Sequence, residues 1–284
     1  MYSALSPGCV NVRVENLSQR IAAAKKYGFA GVDIDVFEIA DLVDSQGADA
    51  VRGQFEDAEI IACGWGLPVD WRSTDENWKR DLATFPRLAK AAAAIGCFRC
   101  ATWVGPASNE RDFDENLKYH IERFKAIAEI LGEHGHRLGL EFIGPKTLRM
   151  NAKYPFVHDM PGMLDMTSKI GDNVGLLLDC WHLYTSHGRP SDVAKLQETD
   201  VVYVHVNDAP RGIPIDELVD NVRGMPGETG VIDIAGFLDA LRSIGYSGPV
   251  VAEPFKKELA DLPDDDARLS ATAESMQKIF ATLA

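Results

Sequence analysis

Four apolar runs in the second half of the chain each end in one side chain that can ligate a metal. Leu138-Gly139-Leu140 leads to Glu141, and Leu176-Leu177-Leu178 leads to Asp179. Val201-Val202-Tyr203-Val204 leads to His205, and Val250-Val251-Ala252 leads to Glu253. Taken singly, an acid in such a place is ordinarily a helix cap or a loop ion pair, and a histidine is as often a satisfied core or loop residue. Four in succession are not explained that way. Three carboxylates and an imidazole suit one divalent ion of the Mn, Mg, Co or Zn group, with Mn2+ the first choice. An ion that binds two adjacent oxygens of an α-hydroxyketone acidifies the C–H bond they share. A neighbouring carboxylate then takes the proton as general base, and an enediolate results. Return of the proton to the neighbouring carbon is isomerisation, and return to the other face is epimerisation. With a leaving group β to the carbonyl, the same species eliminates it, which makes a lyase the alternative.

The elements that would position these residues alternate along the chain. Strands are predicted at Tyr2–Leu5, Gly31–Val36, Glu59–Trp65, Arg99–Val104, Arg137–Phe142, Val174–Asp179, Val201–Val206 and Pro249–Glu253. Helical spacing lies between them, for example over Leu17–Tyr27, Trp78–Ile95, Phe113–His134, Met163–Ile170 and Ala235–Ile244, and Asp266–Leu283 closes the chain. Several helices run into a glycine turn that leads straight to the next strand, as at Tyr27-Gly28-Phe29 and Ile244-Gly245-Tyr246. Eight βα units in 284 residues predict an α/β fold, one closed (β/α)8 TIM-barrel domain over residues 1–284. No glycine-rich nucleotide fingerprint follows the first strand. In a barrel, the C-terminal ends of strands five to eight share one mouth, so Glu141, Asp179, His205 and Glu253 would point into a common space. Two long connections, Gly144–Gly162 and Asn207–Asp233, belong to that face.

The segments LGLEFIG, NVGLLLDCWH, VVYVHVNDAP and MPGETGVIDIAGFLDALRSIGYSGPVVAEPF resemble, in order, those of the sugar isomerase/epimerase superfamily with a xylose isomerase-like barrel. The likeness covers residues 137–255 and is greatest to 2-keto-myo-inositol isomerase-like proteins. It implies that Glu141, Asp179, His205 and Glu253 hold a single metal, with Glu253 as the base. His182, in Asp179-Cys180-Trp181-His182, matches a histidine that binds substrate oxygens and carries protons between them. Arg211 falls where ketose 3-epimerases hold the substrate. Those epimerases carry a second catalytic glutamate where this chain has Thr147, and the histidines that a three-zinc endonuclease needs on early strands are missing. The expected substrate is a keto-sugar or keto-cyclitol, and the resemblance implies a homo-oligomer.

Other residues stand lower. Trp103 and Trp181 could stack on sugar C–H surfaces, as could Trp65, with plain packing as the other reading. Glu228, in Pro226-Gly227-Glu228-Thr229-Gly230, could contact substrate or simply shape a turn. Lys146, Arg149, Lys153 and His158 form a basic patch on the loop after strand five. Asp33 and Asp35 are expected to be structural, and His120, His134, His136 and His187 to be solvated. Acids outnumber bases by 43 to 29, a net charge of −14 that repels nucleic-acid backbones. No apolar run is long enough to span a bilayer, and no signal peptide precedes the first strand, so a cytoplasmic location is expected. Cys97 and Cys100 lack the second pair that a zinc site needs and read as packing residues.

Overall fold

The computed structural model describes residues 1–283. Its strands are β1 (Tyr2–Leu5), β2 (Gly31–Val32), β3 in two pieces (Ile61–Ala62 and Trp65–Gly66), β4 (Arg99–Val104), β5 (Arg137–Phe142), β6 (Val174–Asp179), β7 (Val201–Val206) and β8 (Pro249–Ala252). All pair in parallel, and β8 pairs with β1. The two pieces of β3 close the ring, because Ile61–Ala62 pairs with β2 while Trp65–Gly66 pairs with β4. The interruption falls at Cys63-Gly64, where the chain passes so close to the Tyr203 ring that a Cβ on Gly64 would overlap it and crowd the Asp33 carboxylate. The result is an α/β barrel with helices outside.

The strands are apolar on both faces because each face packs a different core. Ala4, Cys63, Leu177, Tyr203 and Val251 fill the inside of the barrel. Leu138, Leu140, Leu176, Leu178 and Val204 face outward, in one cluster with Phe124, Ile127 and Leu131 of the helix Phe113–Glu133. Side chains alternate along a strand, so the residue two places beyond an inner-core residue also points inward. That geometry carries Leu177 to Asp179, Tyr203 to His205 and Val251 to Glu253.

Three expectations need correction. The second strand ends at Val32 rather than Val36, because Asp35 caps a helix, Val36–Gln46, by accepting from the Phe37 and Glu38 amides at 3.0 and 3.2 Å. Local capping outweighs the apolar alternation of Ile34 and Val36 there. A further helix, Ala48–Ala58, follows and ends at Glu59, whose φ of 58° delays the third strand to Ile61. Of the histidines, His120 and His136 are buried instead of solvated. His120 Nδ1 lies 2.7 Å from the Asn116 carbonyl, and its ring stacks on Phe156 with centroids 4.8 Å apart. All five cysteines are free, and Cys97 and Cys100 are buried as packing residues.

Burial pulls the His120 pKa down from 6.5 to about 4. Protons then favour the unfolded chain, so this residue's effect on stability is absent above pH 6.5 and becomes a loss as pH falls toward 4. The full loss is about 3 kcal/mol. In His120→Phe, thermal unfolding should show a shallower decline of Tm between pH 6.5 and 4 than the parent chain shows.

Candidate functional site

Glu141 lies one residue before the end of β5, Asp179 closes β6, His205 lies on β7, and Glu253 follows β8. Register sets their heights: His205 is level with Asp179, and Trp103 of β4 is level with Glu141. One ligand atom from each of the four residues lies within 4.8 Å of the others, so the four converge on a space where one ion could gather them. His205 Nδ1 is 3.3 Å from Glu253 Oε2 and 3.5 Å from Glu141 Oε1. Both His205 Nδ1 and Glu141 Oε1 are buried without a hydrogen-bond partner. Orphaned polar atoms converging on one point fit a cation better than they fit each other.

Electrostatics lead to the same reading. Burial pushes the Glu141 carboxyl up to about 8 and raises Asp179 against the pull of Arg223. Burial alone would lower His205, but Glu253 and Glu141 outweigh it and hold a proton on the ring. Burial would likewise raise Glu253, yet His205 and Arg223 bring it down to about 2. The carboxylates gather positive charge from whatever is near, and a divalent ion would take the place of those protons.

Arg223, which nothing in the local sequence marks, is the built-in counter-ion. Its Nη1 donates to Asp179 Oδ2 at 2.8 Å and to Glu253 Oε2 at 3.0 Å, and its Nη2 donates to Asp220 Oδ1 at 2.9 Å. It remains charged despite burial because those carboxylates surround it. It reaches them because the loop after β7 folds back: Asp208 and Gly224 exchange backbone hydrogen bonds of 3.0 and 2.7 Å. The buried Asp208 carboxylate also accepts from the amides of Thr229, Gly230 and Ile232 at 2.7–3.0 Å, which pins the rest of the loop. Asn207 donates to Asp179 Oδ1 at 3.0 Å and, with the Trp181 amide at 2.8 Å, fixes that carboxylate's orientation.

His182 sits in the turn after Asp179. Its Nδ1 faces the Gly144 amide at 3.2 Å and its Nε2 faces Arg223 Nη2 at 3.3 Å, so two donors meet a neutral ring that accepts at only one nitrogen. Burial first, then Arg223, holds its pKa well below the usual histidine range, so it stays neutral. Nε2 stands 3.9–4.0 Å from Glu141, Asp179 and Asp220. Gly144 is required here, since a Cβ would run into the His182 carbonyl and the Thr185 hydroxyl.

Residues 21–279 match the family described as the xylose isomerase-like TIM barrel. The chain belongs to that family. An inosose isomerase of Halalkalibacterium halodurans is 24% identical over 272 residues, covering 93% of this chain and 93% of that one. Among solved structures, a xylose isomerase domain protein from Alicyclobacillus acidocaldarius superposes with a TM-score of 0.85 at 28% identity, covering 99% of each chain. A structure described as IOLI protein with a binding zinc atom superposes with a TM-score of 0.78 at 19% identity, over 99% of this chain and 98% of that one. Relatives of this kind support an enzyme of the isomerase or epimerase type, with a lyase as the alternative, and the four-residue cluster supports a divalent metal. Among the described residues, no helix is long and apolar enough to cross a membrane.

The barrel mouth of this family member opens on two chambers that share Trp103, Glu141 and Glu253. One, of ≈ 350 Å³, is polar at Ser6, Asp33, Arg72 and Thr102. The other, of ≈ 400 Å³, contains His182 and Arg223 and is apolar at Ile143, Leu148 and Phe255. Other proposed contacts lie elsewhere. Trp181 is fully buried beneath Arg223, so its ring is packing. Arg211 is exposed and donates to the Thr229 carbonyl, because the loop leaves the mouth before Arg223 returns to it. Glu228 pairs with Lys256 and accepts from the Met225 amide at 2.8 Å, holding a turn. Lys146 pairs with Asp216 at 2.7 Å, and Arg149 is bound to the Gly144 carbonyl, so the basic patch is largely spent within the loops. Asp33 lines the polar chamber, with Oδ1 accepting from Tyr203 at 2.6 Å.

Three outcomes are expected. At pH 7 the metal-free protein should release protons on taking up Zn2+ or Mn2+, read by calorimetry in buffers of different ionisation heat, with affinity falling as pH drops below the Glu141 value of about 8. Asp179→Asn and His205→Ala should each weaken uptake at least about tenfold. Arg223→Met strands buried carboxylates and should cost the metal-free protein about 3–5 kcal/mol in denaturant unfolding, part of it restored by saturating Zn2+. Unchanged stability would show that Arg223 is not the counter-ion.

Proposed function

We propose that this chain is a divalent-metal-dependent isomerase or epimerase that moves a proton next to the carbonyl of a keto-sugar or keto-cyclitol through an enediolate. The observation that carries the reading is the convergence of Glu141, Asp179, His205 and Glu253 on one point, with orphaned His205 and Glu141 atoms, at the mouth of a cavity that also holds His182. Held by those four residues, a divalent cation supplies Lewis acidity to a carbonyl and its neighbouring hydroxyl. Mn2+ is the first choice, with Co2+, Mg2+ and Zn2+ as the other candidates.

The chain's own groups do the rest. Glu253 Oε2 accepts from Arg223 at 3.0 Å and lies 3.3 Å from the orphaned His205 Nδ1, whereas Oε1 has only the weak Cys9 thiol donor at 3.7 Å. Oε1 is therefore the oxygen free to accept a carbon-bound proton. His182 borders the same space and can exchange a proton with a substrate oxygen, and Glu141 is the second carboxyl that can hand a proton across. The polar chamber at Ser6, Asp33, Arg72 and Thr102 offers hydrogen bonds to a polyol ring. Thr147 spends its hydroxyl on the Leu218 carbonyl at 2.8 Å and takes no part. An inosose isomerase relative, aligned over most of both chains, favours a cyclitol ketone among the candidates.

The test is mass spectrometry in heavy water, with Mn2+-loaded protein and a panel of inososes, ketoses and 3-keto-glycosides. Deuterium should enter the substrate without a change of formula. Loss of water from the substrate instead would make the protein a lyase, and no reaction with any keto-polyol would remove the proposal. Glu253→Gln should fold normally and lower the exchange rate by about 10²–10⁴.

A further inference from the structure

The chamber that contains His182 and Arg223 has a wall that a bare polyol does not need. Trp103, Leu148 and Phe255 line it and are 47%, 48% and 39% exposed. Pro106 and Ile143 complete that wall. Hydroxyl groups laid against it would lose water and gain no partner, a cost of the kind that polar burial always carries. Asp220, Asn221 and Arg223 line the chamber as well, but Arg223 and Asp220 are already paired with each other and Arg223 with the cluster acids.

Phe255 adds an independent observation. It follows Glu253-Pro254 directly and has a φ of 37°, in the left-handed region that a bulky side chain rarely enters. Strain of this kind persists where the surroundings impose it, and it concentrates at functional sites. Here the Arg223 guanidinium lies 4.6 Å from the centre of the Phe255 ring, so the guanidinium that neutralises the cluster also supports this ring at the mouth. Trp103 is supported in the same manner by Arg72, 3.8 Å from its ring. Two aromatic rings, each held by a cation, thus line the chamber next to the cluster, and no ring–ring contact joins them among the described residues.

We infer that this chamber is a subsite for an apolar, preferably aromatic, substituent, so that the substrate is a polyol ketone carrying such a group rather than a bare sugar or cyclitol. The polyol ring occupies the polar chamber, its reacting carbons lie at the junction formed by Trp103, Glu141 and Glu253, and the substituent extends over Phe255 and Leu148. This rests on the proposed function only for the identity of the ring; the preference for an aromatic group is a property of the wall itself.

The test is a binding comparison with unreactive probes, methyl β-D-glucoside and phenyl β-D-glucoside, on the Zn2+-loaded protein by calorimetry or ligand-observed NMR. The phenyl compound should bind at least about tenfold more tightly, in line with burial of one ring at ~25 cal/mol per Å². Phe255→Ala and Leu148→Ser, on separate segments, should each reduce that preference at least threefold while methyl glucoside affinity stays within twofold. Equal affinity for the two probes, absence of binding by both, or a preference that survives in both variants overturns the inference. Heavy-water exchange reads the proposed function separately: exchange on bare ketoses with no phenyl preference sinks the subsite alone, and a phenyl preference without exchange on any keto-polyol sinks the reaction alone.

Discussion

Three carboxylates, two buried and the third mostly so, held within a few ångströms of each other are the constraint on which the site depends. Each is costly to desolvate, and each raises the cost of ionising the others. Glu141 and Asp179 show it directly, since burial pushes both toward the neutral form. The structure answers with one permanent cation, Arg223, bonded to Asp179 and Glu253, and with a histidine that the surrounding acids keep protonated. The orphaned atoms of His205 and Glu141 mark where the compensation is incomplete. A divalent ion there would complete it, which ties metal affinity, local stability and chemistry to one electrostatic balance.

The barrel and its loops divide the work. Strand ends place the four candidate ligands, because hydrogen-bonded parallel strands hold register to a fraction of a residue and alternate faces predictably. The loop after β7 supplies the counter-charge, and a single buried carboxylate, Asp208, gathers the amides that shape it. A rigid frame with adaptable loops is how one barrel architecture accommodates many substrates. The chambers on either side of the cluster share Glu141 and Glu253 and differ in the loop and strand-end residues around them, Ser6, Asp33, Arg72 and Thr102 in one and Ile143, Leu148 and Phe255 in the other. Positioning residues such as Asn207 and Gly144 link the two parts, the first by orienting Asp179 and the second by admitting His182 at close range.

Much of this was legible in the sequence, and for a physical reason. Strands buried on both faces must be apolar throughout, so a charged or imidazole side chain at the end of such a run stands out against it. That contrast located Glu141, Asp179, His205 and Glu253, and strand alternation with glycine-terminated helices indicated the closed barrel around them. Helix spans such as Leu17–Lys26 and Phe113–Glu133 were within a residue or two of expectation for the same reason, a periodic apolar face. Where a local hydrogen bond competed with periodicity, as at the Asp35 cap, the sequence reading followed the wrong signal.

Only the tertiary structure decided which loop residues reach the mouth. Arg211 and Arg223 lie on the same connection, and their local sequence does not distinguish them; the return of the chain at Asp208 and Gly224 sends one to solvent and the other to the cluster. The same holds for Trp103 and Trp181, one lining the cavity and the other buried under it. Burial of His120 and His136 likewise depends on what packs over their helix and turn. Periodic elements carry their facing in a few neighbouring residues, whereas a loop's path is set by distant partners.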